Sequence, residues 1–268
     1  MTPAPDPSWE RRHPSRLESW SFDFFAPDAR VAGFVGLTLF PAPRPRAWYW
    51  AALVGEGRPY LLVRDLEIEA PRRPGSREVR ADGLWADINC ETPLEHWSMG
   101  LEAFGVSMDD PDEALGDERG DRIGLGLDLE WEAVAGGVVG DEGDYGQACD
   151  VSGQILVGVG SVVEEITFDG YGWRWHRCGG GTAAVVLGGG GPAGVVPAGE
   201  RLSGRLDDGT PFMAGAAGGA AEVPAEGARE VLFRAPLRLD GGRVLERSFC
   251  RFSVAGAGTG MGWHERVS

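Results

Sequence analysis

The residues best suited to chemistry lie in one stretch, Tyr145 to Gly179, which combines Tyr, Trp, Arg and His side chains. His176 is the first candidate for a catalytic residue, because histidine is the side chain most easily tuned to exchange a proton near neutral pH. A structural histidine bonded to backbone is the alternative. Asp169 could orient His176 or act as an acid if buried, although Asp-Gly is also an ordinary turn dipeptide. Arg174 could bind a carboxylate or phosphate, or pair with a neighbouring glutamate.

The aromatic side chains indicate what such a site would bind. The chain has 10 Trp, and several lie close together in the sequence. Large rings escape water only when they face something concave, so we expect a cavity for an apolar ligand. Filling of the protein core is the alternative for each tryptophan. The predicted ligand-binding residues are Tyr145, Tyr171, Trp173, Arg174, Trp175, Trp131 and Trp50.

A third catalytic candidate comes from a run of alternating residues, 123–132. Asp128, Glu130 and Glu132 share one face of a predicted strand. Carboxylates that share a buried face raise one another's pKa into the range of a general acid, and Glu130 is the predicted one. The simpler alternative places these carboxylates in solvent and the Leu and Trp side chains inward.

The elements that position these residues are predicted to be β-strands, since apolar and polar residues alternate along most of the chain. Gln147–Val157 and Val162–Phe168 are predicted to form a hairpin around Gly158 and Gly160, followed by a loop at Asp169–His176. The other predicted strands are Ser19–Phe25, Val31–Phe40, Arg46–Val54, Pro59–Glu69, Gly83–Glu91, Trp97–Met108, Thr182–Leu187, Arg201–Leu206, Glu230–Leu239 and Arg243–Val254.

Strands at short spacing without crossover helices indicate antiparallel sheets that close into barrels. A glycine-rich, acidic break at Gly136–Asp144 separates two sets of strands. The sequence therefore predicts an all-β protein of two tandem antiparallel barrels. Residues 1–18 are predicted to be a flexible segment, 19–135 the first barrel and 144–268 the second.

Composition excludes several classes of function. The formal net charge of -16 argues against binding to nucleic acid, which requires clustered cations. The chain has no lysine, so it cannot form a Schiff base. His176 and Cys178 are the only close pair of metal-ligand type, which is too few for a metal site, and no cofactor motif is present. No apolar run reaches the length of a membrane span, and the protein is predicted to be cytoplasmic.

A family resemblance connects several of these features. The sequence resembles the carotenoid 1,2-hydratase (hydroxyneurosporene synthase) and AttH-like superfamily, whose members have two lipocalin-like barrels of the calycin type side by side. The residues that carry the resemblance are Tyr145 and Gln147, Val151 to Gly153, Phe168 to Gly170, Arg174, His176 and Gly179. The family shows Asp at the position of Trp175 and Trp at that of Cys178. A carboxylate can protonate a double bond and an indole cannot, so the resemblance supports the fold and a hydrophobic ligand better than carotenoid hydration.

The sequence thus predicts a protein that binds a hydrophobic isoprenoid, polyene or polyketide-derived molecule. As an enzyme, it would catalyse cofactor-free hydration, isomerisation or cyclisation, with His176 moving the proton and Asp169 or Glu130 assisting. A non-catalytic carrier of the same ligand is the main alternative. An interaction domain that presents an acidic surface to a basic partner is the third.

Overall fold

The computed structural model describes residues 6–141, 144–178, 200–215, 229–254 and 258–268, and the predicted strand Thr182–Leu187 lies outside them. Side chains are described at all of these positions except 135–141, 144, 214–215 and 254. The described residues are mainly β-strand, with a few short 3-10 helices. Within these ranges, no helix has the length and hydropathy of a membrane span.

The first sheet contains ten antiparallel strands. They are β1 (Glu18–Phe25), β2 (Ala32–Phe40), β3 (Arg46–Gly55), β4 (Arg58–Glu69), β5 (Val79–Ala81), β6 (Leu84–Thr92), β7 (His96–Met108), β8 (Asp121–Asp141), β9 (Asp144–Val159) and β10 (Val162–Cys178). Pairing of β4 with β7 closes eight of them into a barrel in the order β4-β3-β2-β1-β10-β9-β8-β7. Strands β5 and β6 continue the sheet beyond β7.

The barrel interior is filled by side chains from alternate positions of each strand, as the period of two in the sequence predicts. On β8, the odd-numbered residues Ile123 to Trp131 are buried in the core, and the even-numbered residues face outward. Large rings occupy much of the interior: Trp20, Phe22, Phe24, Trp97, Trp131 and Phe168. A continuous apolar core therefore holds the eight strands together.

The second sheet packs on the outside of this barrel. Its strands are β11 (Glu200–Leu206), β12 (Pro211–Gly215), β13 (Arg229–Arg234), β14 (Leu237–Arg238), β15 (Val244–Val254) and β16 (Gly258–Val267), in the order β12-β11-β16-β15-β13 with β14 beside β15. Outward-facing apolar residues of β1 to β4 form one buried cluster with Leu237, Phe249 and Trp263 of this sheet. The described residues show one closed barrel, and the second sheet is not shown as a closed barrel.

The arrangement of the sheets differs from the division predicted from the sequence, 19–135 and 144–268. The hairpin of β9 and β10 is present, with its turn at Gly160, but it completes the first barrel because β10 pairs with β1 and β9 pairs with β8. Residues 169–176, predicted as a loop, form part of β10: all of them pair with β9, and residues 171–176 also pair with β1. Tyr171, Trp173 and Trp175 lie on one face of the strand and are covered by the second sheet.

The N-terminal segment, residues 6–17, also differs from the prediction of flexibility. A short 3-10 helix at Pro7–Glu10 places Trp9 against the ring of Tyr145, with 5.5 Å between ring centroids. Arg77 donates to the carbonyl of Glu10 at 2.7 Å, and Arg12 donates to the carbonyl of Ser76 at 3.0 Å. The segment is therefore held across one end of the barrel.

Candidate functional site

The predicted site residues on β10 divide between the two faces of the strand. Arg174 and His176 point into the barrel, whereas Trp173 and Trp175 point toward the second sheet. Successive side chains of a strand lie on opposite faces, so these four residues cannot surround one ligand. The structure brings Tyr145, Arg174 and His176 together at the end of the barrel that the N-terminal segment covers. We call these residues, with Glu10, His13, Glu18, Gln147 and Cys178, the barrel-end cluster.

His176 occupies the centre of this cluster and is fully buried. Its ring stacks on Trp20 with centroids 4.9 Å apart and meets the edge of Tyr145 at 5.8 Å. Its Nε2 lies 3.2 Å from a carboxylate oxygen of Glu18. Its Nδ1 is buried and has no hydrogen-bond partner among the described residues. An imidazole held between rings and bonded to a carboxylate is well positioned to hold or transfer a proton.

Glu18 links His176 to the N-terminal segment. Its carboxylate accepts from the backbone N–H of His13 at 2.7 Å and lies 3.2 Å from His13 Nδ1. Burial alone would raise the pKa of Glu18, but hydrogen bonds from His176 and His13 outweigh burial and hold that pKa below its usual value. Cys178 on β10 lies directly opposite Glu18 on β1 in the strand register. A carboxylate oxygen of Glu18, an imidazole nitrogen of His13 and the sulfur of Cys178 lie within 4.8 Å of one another.

Arg174 forms the second half of the cluster. It makes a buried ion pair with Glu10 at 2.6 Å, donates to the hydroxyl of Tyr145 at 3.0 Å and contacts the side-chain oxygen of Gln147. Burial opposes the guanidinium charge, but Tyr145 and Glu10 outweigh it and raise the pKa of Arg174. Arg174 thus pairs with buried protein groups, as a buried charge requires, and its contact with a ligand stays a prediction.

The predicted tryptophans lie elsewhere. Trp131 is fully buried inside the barrel, with its ring 5.1 Å from that of Phe22. The remaining predicted aromatic residues, Trp50, Tyr171, Trp173 and Trp175, face the second sheet. Trp173 donates to the carbonyl of Gly204, and Arg201 lies over the ring of Trp175. These rings join the barrel to the second sheet.

Asp169 and Glu130, the predicted partners of His176, are not brought near it. Asp169 is exposed on the outer face of β10, seven residues before His176, which is roughly 23 Å along a strand. Glu130 lies on the outer face of β8 and pairs with His96 at 2.6 Å, with 42% of its side chain exposed. The structure therefore favours the solvent-facing alternative for the carboxylates of β8.

A buried charge network between barrel and second sheet was not predicted from the sequence. Asp23 of β1 pairs with Arg247 at 2.5 Å, and Glu265 pairs with Arg247 at 3.0 Å and Arg201 at 2.8 Å. Burial raises the pKa of Glu265, and the two arginines oppose this effect. We call these four residues the interface network. Two carboxylates and two guanidinium groups balance one another, as buried charges must.

A groove with a volume of about 630 Å³ lies on the outside of the barrel. One row of cross-strand partners builds it: Phe104 of β7, Gly124 of β8, Gly158 of β9 and Val163 of β10. The two glycines form the floor. Phe104 and Val163 stand on either side, 56% and 66% exposed. We call this space, with its further lining residues Trp85, Glu102, Gly126 and Leu156, the outer groove.

The outer groove is mainly apolar. Its two ionisable lining residues among those described, Arg80 and Glu102, are exposed to solvent. A side chain at Gly124 would project into open space, because a Cβ added there meets no atom within 4 Å. In the sequence, this groove is indicated by the alternation of Gly124 and Gly126 with the buried residues Ile123 and Leu125. The alternation can be recognised as part of a groove only when the register of the neighbouring strands is known.

Comparison with known proteins identifies the family of the barrel. A family model described as "Domain of unknown function (DUF7064)" matches residues 6–177, more than half of the chain, and the chain belongs to this family. The match spans the N-terminal segment and nearly all of the closed barrel, so the family unit coincides with the barrel and excludes the second sheet. No curated protein matches the chain.

One solved structure to which the chain is similar is the crystal structure of kievitone hydratase from Nectria haematococca. The TM-score is 0.47 with 13% sequence identity, over 97% of this chain and 91% of that chain. At this level of similarity the activity of the neighbour is not transferred to this chain. The resemblance to carotenoid 1,2-hydratase and AttH-like proteins stays a prediction.

Proposed function

We propose that this member of the DUF7064 family binds an apolar small molecule in the outer groove. The observation that carries the proposal is the row Phe104, Gly124, Gly158 and Val163, in which two glycines leave a trough between exposed apolar side chains. Exposed Val and Phe side chains that face a glycine floor leave apolar surface in water, and an apolar ligand would cover that surface.

The size and lining of the groove define the ligand class. A volume of about 630 Å³ lies within the usual range for small-molecule sites, roughly 300–1,000 Å³. Trp85, Phe104 and Leu156 offer apolar surface, and Arg80 and Glu102 supply polar groups. A largely apolar molecule with a few polar atoms fits this lining, and isoprenoid, polyene and polyketide-derived chains belong to this class.

The geometry favours binding over catalysis at this place. Hydration, isomerisation or cyclisation needs a positioned acid or base, usually one with a pKa adjusted by its surroundings. Arg80 and Glu102 are exposed to solvent, and neither is a buried, positioned acid or base. His176 lies thirteen residues from Val163 on β10, roughly 40 Å along the strand, and cannot act in the outer groove. Of the two functions predicted from the sequence, the carrier is therefore the one that we propose.

A fluorescence titration tests this proposal. The probe is N-phenyl-1-naphthylamine, an uncharged apolar fluorophore whose emission rises when it leaves water. We expect saturable binding to the wild-type protein. Gly124→Leu should weaken it at least tenfold, about 1.4 kcal/mol, because the Cβ at this position meets no atom within 4 Å and the leucine side chain would occupy the trough.

Gln154→Leu is the matched control. Gln154 is exposed on β9 and does not line the outer groove, so this variant adds the same side chain elsewhere on the barrel. Its affinity for the probe should equal that of the wild type. Equal affinities in Gly124→Leu and wild type would show that the probe binds elsewhere, and would remove the support for the outer groove.

A further inference from the structure

We propose that His13, Glu18 and Cys178 form a binding site for a transition-metal ion of the Zn²⁺ type at the mouth of the barrel. One ligand atom from each residue lies within 4.8 Å of the others, namely an imidazole nitrogen, a carboxylate oxygen and the thiol sulfur. This site is independent of the outer groove. It differs from the pair His176 and Cys178, which the sequence alone identifies as a close pair of metal-ligand type.

The fold brings the three residues together from separate parts of the chain. Glu18 and Cys178 are direct cross-strand partners on β1 and β10, so their side chains lie on the same face of the sheet. His13 comes from the N-terminal segment, where its backbone N–H donates to Glu18 at 2.7 Å and its carbonyl accepts from the N–H of Arg16 at 2.9 Å. The three ligands are thus held by a strand pair and a hydrogen-bonded turn.

The distances are compatible with a tetrahedral ion. Bonds of about 2.0–2.3 Å at tetrahedral angles separate neighbouring ligand atoms by roughly 3.3–3.8 Å. His13 Nδ1 and Glu18 Oε1 are already 3.2 Å apart. Small rotations of the Cys178 and His13 side chains, both partly exposed, complete the geometry.

The chemistry of the ligands selects the ion. Nitrogen, sulfur and oxygen together suit Zn²⁺ and related ions, whereas Mg²⁺ and Ca²⁺ require oxygen ligands. Glu18 supplies the oxygen ligand from a buried position, with 1% of its side chain exposed.

His176 acts on this site through Glu18. Its Nε2 lies 3.2 Å from Glu18 Oε1, which orients the carboxylate in the way that outer hydrogen bonds orient metal ligands. Three protein ligands leave the fourth position of the ion for water or another small ligand. That position is reached through the side of His13, whose side chain is 29% exposed.

Titration of the untagged full-length protein with Co²⁺ tests the site, because a thiolate bound to Co²⁺ gives a charge-transfer absorption band in the near ultraviolet. We expect one Co²⁺ per chain with this band, and displacement of Co²⁺ by Zn²⁺ but not by Mg²⁺. Cys178→Ser should abolish the band, and His13→Ala should weaken binding at least about tenfold, as loss of even an outer hydrogen bond does in metal sites.

Two matched variants control for general effects of losing a thiol or an imidazole. His96 resembles His13 in exposure, 31% against 29%, and in its bond to a glutamate. Cys90 is, like Cys178, a partly exposed thiol outside any disulfide. His96→Ala and Cys90→Ser should bind Co²⁺ as the wild type does.

Three outcomes overturn the proposal. If the wild-type protein gives no thiolate band, Cys178 does not bind the ion and the three residues form no metal site. Binding that survives both Cys178→Ser and His13→Ala uses other residues. Binding that is weakened equally by His96→Ala reflects loose association with surface groups. Circular dichroism of each variant confirms that the sheet content is retained.

Discussion

The outer groove and the barrel-end cluster share two strands, β9 and β10, but their chemistry is opposite. The outer groove is lined mainly by apolar side chains and glycines on the outside of β5 to β10. The barrel-end cluster lies inside the barrel, where Arg174 forms a buried ion pair with Glu10 and His176 lies within hydrogen-bond distance of Glu18. Along β10 the two are separated by the length of the strand.

An exposed apolar surface and a buried histidine on the same strand therefore do not by themselves make one active site. The sequence places both kinds of residue in a single stretch, 145–179, and a common site was the natural prediction. Alternation along β10 and the length of that strand assign them to different faces and ends of the barrel. Binding of an apolar ligand in the outer groove and a role of His176 are therefore separate proposals, which can be tested separately.

The largest expected effect is the loss of stability when the barrel-end cluster loses its cation. Arg174→Met leaves the carboxylate of Glu10 buried without its partner, and breaking a buried ion pair in this way costs about 3–5 kcal/mol. Urea unfolding at pH 7 measures this loss. The double variant Glu10→Gln/Arg174→Met should be more stable than the single one, and equal stabilities would show that the ion pair is not the cause.

A smaller effect is expected from removal of one wall of the outer groove. Phe104→Ser takes away a ring that is 56% exposed, so stability should change by less than about 0.5 kcal/mol. Affinity for N-phenyl-1-naphthylamine should fall about fivefold, since part of the apolar contact is lost. Val231→Ser, which removes an exposed apolar residue from the second sheet, is the control and should leave the affinity unchanged. A loss in both variants would contradict a specific groove.

The smallest expected effects are changes with pH, which should affect the barrel-end cluster but not the outer groove. The pKa of Glu18 is lowered in the fold, so its contribution to stability is present above its unfolded pKa of about 4.5 and is lost as the pH falls through its folded pKa. The stability difference between wild type and Glu18→Gln should therefore shrink on acidification from pH 7. Probe affinity in the outer groove should stay constant between pH 7 and 5. A parallel fall in affinity would connect the two regions.

The sequence predicted the individual strands better than their partners. Alternation located β1 to β4, β6, β7 and β9 to within a few residues, and the Gly160 turn located the hairpin of β9 and β10. The beginnings of β8 and β10 were also located, but each strand extends about ten residues beyond its predicted end. That this hairpin closes the barrel with β1 depends on pairing over more than 140 residues, for which the sequence carries no local signal. The glycine-rich stretch 136–144 therefore resembled a domain boundary, although residues 136–141 belong to β8 and residue 144 begins β9.

The candidate sites could be predicted only in part for the same reason. His176 was identified from its residue type, but Glu18, His13 and Glu10 approach it from the N-terminal segment and β1. Their roles follow from cross-strand register and from the path of the segment over the barrel end. The outer groove depends on which glycines face each other across β8 and β9, and register again decides this.

The central claim is that the outer groove binds the apolar ligand, and the most direct test is a crystal structure of the protein with N-phenyl-1-naphthylamine. We predict that the naphthalene ring lies over Gly124 and Gly158, between Phe104 and Val163, with Trp85 in contact. A probe bound in the barrel interior, or between the barrel and the second sheet, would contradict binding in the outer groove. It would instead support the aromatic residues of those regions as ligand-binding residues.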